Sequence, residues 1–154
     1  MDRAPPPLKN DANPISGGCP LIFAKAFVGT LVAFLVIDVI WITRVVRPMY
    51  DQQVGGLLRA SPHLGPAIAF YLTYAAGIVY LAVLPALASG GLRTALVNGA
   101  ALGGVAYATY ALTNYSLLRG WTFAVTAADV GWGIVVTALT AACGLLAARL
   151  GTAA

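Results

Sequence analysis

The sequence predicts an all-α membrane protein, four transmembrane helices in an antiparallel bundle. Of its 154 residues 60% are hydrophobic and only 9% are charged, whereas soluble domains carry about 25% charged residues. Four apolar runs approach the roughly 20 residues that a helix needs to cross a bilayer. Clusters of Pro, Gly and Arg separate them. The nine Lys and Arg residues are scattered singly, so the net charge of +4 makes no basic stripe for nucleic acid.

Residues 1–20 read as a flexible tail, polar and rich in Pro and Gly. Residues 21–150 are expected to form one membrane domain with helices at about 26–46, 66–84, 96–118 and 123–147. The first holds thirteen Leu, Ile, Phe and Val residues. At roughly −0.3 to −0.6 kcal/mol each they outweigh the roughly 2.5–3.5 kcal/mol that one aspartate costs at the bilayer centre. Arg44, Arg47 and Pro48 are expected to end it. The polar stretch 47–64 reads as interfacial, with Met49, Leu57 and Leu58 dipping into lipid over the entrance to the bundle. Pro66 suits the first turn of the second helix. Pro85, Gly90-Gly91 and Arg93 separate it from the third, and Arg119-Gly120-Trp121 makes a tight turn into the fourth. The fourth, with only nine strongly apolar residues and an aspartate, should depend on its neighbours for insertion.

Two acids lie inside these runs, each followed three residues later by tryptophan: Asp38–Trp41 and Asp129–Trp132. At 1.5 Å per residue both fall about 12 Å inside the same membrane face. Tyr71 and Tyr74 on the second helix, and Tyr107, Tyr110 and Asn114 on the third, reach a similar depth. The spacings of three and four put Tyr107, Tyr110 and Asn114 on one face, continued by the Gly99-x-x-x-Gly103 pair that permits close helix contact. Trp41, Trp121, Tyr50 and Tyr80 read as interfacial anchors, and the deeper Trp132 as core packing or an aromatic wall for a cation, with Trp41 and Trp132 both counted among the candidate binding residues. No Lys or Arg shares that layer by this count, so the acid pair is expected to hold a proton or a cation between them.

His63 is the only histidine, which excludes a multi-histidine metal or haem centre. No phosphate loop, nucleophile elbow or zinc spacing occurs. No cofactor, no metal and no catalytic residue is therefore assigned. Three functions stay open. The first is a carrier or binding protein for a proton or small cationic ligand, which with so few helices calls for a homodimer. The second is a lipid-modifying enzyme using the acids as general acid and base. The third is a structural or assembly protein whose polar layer locks helix packing. The first is preferred, because the layer is rich in binding groups and poor in catalytic equipment. Five basic residues on one side against four on the other set no orientation.

The chain resembles a bacterial membrane family known as domain of unknown function 2177, over roughly residues 23–146. The resemblance rests on Asp38-x-x-Trp41, Phe70-Tyr71-Leu72-x-Tyr74, Pro85-Ala86, Tyr107-Ala108-Thr109-Tyr110-x-Leu112-Thr113-Asn114, Gly120-Trp121 and Asp129-x-x-Trp132-Gly133. It implies a four-helix bacterial membrane protein, and the bacterial inner membrane is the expected location. The family usually sets an acid where this chain has Ala111, so no role is assigned to a third carboxylate. The resemblance implies no activity, cofactor or catalytic residue.

Overall fold

The computed structural model describes residues 19–150 other than 58 and 60, and every regular element among them is helical. α1 spans Cys19–Trp41, α2 Arg47–Val54, α3 Leu64–Ile78, α4 Gly91–Leu117 and α5 Phe123–Arg149. The expected tail lies outside the described residues, save that Cys19 and Pro20 already belong to α1.

The first helix does not stop at Pro48. A π turn, Ile42–Val46, joins α1 to α2, and the Arg47 N–H bonds the Ile42 carbonyl five residues back. Proline lacks an N–H and its ring crowds the carbonyl four residues before it. A π turn placed just ahead shifts the acceptor register and absorbs that defect. Pro48 then occupies the first turn of α2, where no donor is missed. The helical run Pro20–Val54 is 35 residues long, so much of the stretch expected to lie flat in the interface instead prolongs the first helix.

The second helical run behaves similarly. Beyond α3 come two π turns, Val79–Val83 and Ala86–Gly90, on either side of Pro85. The run Leu64–Leu117 contains 54 residues, about 80 Å if straight. It is not straight. The Asn98 side chain donates to the Leu81 carbonyl at 3.2 Å across 17 residues, which on a straight helix would be about 25 Å apart. The chain doubles back at Gly90-Gly91, where Gly91 adopts φ 59 and ψ −154, a conformation closed to residues with a side chain. α4 then packs along the preceding π turns.

Pro20–Val54, Leu64–Leu117 and Phe123–Arg149 are the three helical runs among the described residues long and apolar enough to cross a membrane. α5 is the most enclosed of them, packed by both α1 and α4. Small residues set these contacts. A Cβ on Gly99 would meet the Thr137 carbonyl, one on Gly103 the Gly133 carbonyl, and one on Gly133 the Tyr107 ring. In hydrocarbon, where no hydrophobic force drives helices together, such close backbone approach is a main source of association.

The packed interior has two ends. At one, Ala26, Ile78, Val79, Val83, Ala95 and Leu145 form an apolar cluster. At the other, Val54, Trp121 and Val125 pack with Met49 and Tyr50. Phe34, fully buried, meets Tyr71 edge-on at a centroid distance of 5.3 Å. Asp38, one turn beyond Phe34, and Asp129, one turn beyond Val125, sit between this aromatic layer and the second cluster.

Candidate functional site

Asp38 and Asp129 are 5% and 4% exposed, and both line one cavity of 740 Å³. The two Asp-x-x-Trp segments cross-connect. The Trp132 indole Nε1, from α5, donates to Asp38 Oδ1 on α1 at 3.0 Å. The Tyr71 hydroxyl, from α3, donates to Asp38 Oδ2 at 2.9 Å. Trp41 stacks on Trp132 with ring centroids 4.2 Å apart and planes 4° from parallel. Each tryptophan lies one turn from its own acid, so spacing alone places both indoles at the level of the carboxylates.

Asp129 has a different partner. Its Oδ2 accepts from the Tyr50 hydroxyl at 2.6 Å, and Tyr50 meets the Tyr110 hydroxyl at 2.8 Å. A phenol owns one hydrogen. Tyr50 gives its hydrogen to Asp129, so Tyr110 supplies the hydrogen of the second bond. Asn114, one turn beyond Tyr110 on α4, shares its helix face. The result is a relay from α4 through α2 to α5 ending on a buried carboxylate.

Tyr107 lies half-buried against Gly133 and lines the same cavity. Tyr74 does not. Its hydroxyl pairs with Thr137 Oγ1 at 2.9 Å, and with Phe70 and Ala106 it lines an adjoining cavity of 280 Å³. Tyr107 and Tyr110 border both spaces.

Several residues that sequence reasoning set elsewhere belong to this site. Tyr50 was expected at the interface. Counting 100° per residue, a regular helix puts it about 120° round from Asp38. The π turn takes up one extra residue and brings it to about 20°. Pro48 marks a place where the helix is apt to be irregular, but it does not tell by how much the phase shifts. Trp121 was also read as an interfacial anchor, yet it is 7% exposed. Its Nε1 donates to Thr126 Oγ1 at 3.2 Å, and its ring packs edge-on against Tyr50 and Tyr110. The prolonged first helix covers it. Gly120, at φ 87, lets the turn before α5 approach the Gln53 carbonyl at the end of α2. Finally, Arg47, Asp51 and Arg59 line the mouth of the cavity, where no basic residue was expected at the polar layer.

Among the described residues, the hydrogen-bond partners of both acids are neutral: Tyr71 and Trp132 for Asp38, Tyr50 for Asp129. The cavity therefore has an acidic, aromatic interior and a charged, exposed rim. Among the described residues no group of three or more His, Cys, Asp or Glu converges as a metal site would require.

Fold and site together define the class: a helical, multi-pass integral membrane protein of the lipid bilayer with a polar cavity inside its packed helices. A family model described as "Predicted membrane protein (DUF2177)" matches residues 23–146, and the chain belongs to that family. Neither the curated proteins nor the solved structures contain a match to it.

Proposed function

We propose that this chain is a binding or carrier protein of the bacterial inner membrane that holds a proton or a small cation-bearing ligand between Asp38 and Asp129. In this reading residues 21–150 are one domain that crosses the bilayer four times, the run Leu64–Leu117 supplying two crossings through its reversal at Gly91. A path across the membrane needs more wall than four helices provide, so the carrier works as a homodimer.

The observation that carries the reading is the pair of buried carboxyls lining one cavity, whose hydrogen-bond partners among the described residues are neutral. An aspartate costs roughly 2.5–3.5 kcal/mol to insert at the bilayer centre. A polar bond between membrane helices returns about 0.6 kcal/mol on average and about 1.7 at most. Asp129, with one such bond, does not recover its cost by locking helices together. The balance favours a ligand or proton that brings the missing charge. Trp41 and Trp132 supply an aromatic wall, and aromatic faces attract organic cations by about 0.5–2 kcal/mol.

The test is binding of small quaternary and primary ammonium ions to the protein in a non-ionic detergent, read by tryptophan fluorescence. Asp38→Asn and Asp129→Asn should each weaken binding at least tenfold while the protein still elutes as a single folded species. Ammonium and proton binding that are unchanged in both variants, with only a lower melting temperature, would assign the acids to helix packing and remove this reading.

A further inference from the structure

A bare proton or metal ion needs far less room than 740 Å³. That volume falls in the range of about 300–1,000 Å³ typical of sites for small organic molecules. Charge is also unevenly arranged within it. Asp38 and Asp129 are buried, whereas Arg47, Asp51 and Arg59 at the mouth are exposed. The interior thus carries two acids and the rim a formal charge of about +1, with Asp51 offsetting one of the two guanidiniums. A ligand that was only a cation would meet two arginines at the entrance and gain nothing from them.

Arg59 is held in place from the side. Its Nη1 lies 3.1 Å from His63 Nε2. Arginine has only donors, so the histidine accepts there and keeps its own hydrogen on Nδ1. Among the described residues this is the one hydrogen bond of the Arg59 guanidinium, which carries five N–H donors. Arg47 follows directly on the π turn that starts one residue after Trp41, so one helical run carries the deep acid, the aromatic wall and the rim cation in that order.

We infer that the cavity takes a doubly charged ligand, an aminoalkyl phosphate, whose ammonium seats between Asp38, Asp129 and the Trp41–Trp132 stack while its phosphate meets Arg47 and Arg59 at the mouth. The inference rests on the cation-binding reading above and adds the second charge. Guanidinium groups match phosphate oxygens with paired N–H donors, which a point cation does not. The same chemistry occurs as a free phosphate monoester and as the headgroup of a zwitterionic phospholipid. The neighbouring cavity of Phe70, Tyr74 and Ala106 is apolar and shares Tyr107 and Tyr110 with the main one, the kind of lining that would suit the acyl chain of a lipid.

The experiment uses the full chain in a maltoside detergent and follows tryptophan fluorescence. The ligands are choline, ethanolamine, inorganic phosphate, phosphocholine, phosphoethanolamine and a short-chain phosphatidylcholine below its micellar concentration. Either phosphate ester should bind at least tenfold tighter than its parent alcohol and than inorganic phosphate. Arg47→Gln and Arg59→Gln should erase that advantage without weakening choline binding, and Asp129→Asn should weaken both. If the lipid binds more tightly than phosphocholine, the source is the headgroup; if phosphocholine binds as well or better, it is the soluble ester. Equal affinities for alcohols and esters, or Arg variants without effect, overturn the inference and leave the cation site standing. No binding of any ammonium compound overturns this inference together with the cation form of the reading above.

Discussion

Replacing Tyr50 by Phe removes one oxygen and leaves the ring. That oxygen donates to Asp129 Oδ2 at 2.6 Å and meets the Tyr110 hydroxyl at 2.8 Å. Asp129 is 4% exposed, and this is the one hydrogen bond its side chain makes among the described residues. A hydrogen bond to a charged group contributes about 1.5–3 kcal/mol in soluble proteins, while polar pairs within membranes average about 0.6 and reach about 1.7. The expected loss for Tyr50→Phe is therefore about 1–2 kcal/mol, a five- to thirtyfold shift in the folding equilibrium. The assay is unfolding in mixed micelles titrated with a denaturing detergent. Tyr80→Phe is the control, since Tyr80 is 70% exposed and should stay within about 0.5 kcal/mol of wild type. Combining Tyr50→Phe with Asp129→Asn should cost less than the sum of the two, as expected for contacting groups. If Tyr50→Phe matches Tyr80→Phe, the first helix does not carry Tyr50 back into the bundle and the account of the π turn is wrong.

Gly103→Ala should lower stability by about 1–3 kcal/mol, because its new methyl meets the Gly133 carbonyl. Gly131→Ala, with nothing within 4 Å of the added atom, should be neutral in the same unfolding assay. In a Cys19→Ala, Cys143→Ala background, cysteines at positions 81 and 98 should cross-link through a short bifunctional thiol reagent. No cross-linking within one chain would refute the reversal at Gly91. The stacked indoles should give an exciton couplet in circular dichroism that Trp41→Phe and Trp132→Phe both abolish and Trp121→Phe preserves. A couplet that survives Trp132→Phe would mean the two rings are not in contact.

Helix content and the membrane setting were legible because they follow from composition and run length. A polypeptide with so few charges cannot dress a soluble surface, and hydrocarbon leaves its backbone few ways to satisfy its hydrogen bonds. That Asp38 and Asp129 reach one cavity accords with the common level counted along the chain, because rise per residue is constant within a helix. The contact stripe of Gly99 and Gly103 followed from spacing alone. Phase past a proline was not legible. The rule that proline ends a helix applies to regular α geometry, and at Pro48 a single π turn set it aside, moving Tyr50 and Trp121 from expected anchors at the surface to groups inside the site.

Local sequence determined that this protein is helical, that it belongs in lipid, and that two acids and two indoles sit at one level, since these depend only on residue identity and axial distance. Tertiary structure decided which indole serves which acid, which tyrosine completes Asp129, and that arginines reach the mouth. Those outcomes depend on the rotation of each helix about its axis and on where the chain reverses. One added residue in a turn changes rotation by about 100° while moving depth by only about 1.5 Å, so depth is far less sensitive to the local irregularities that set the pairing.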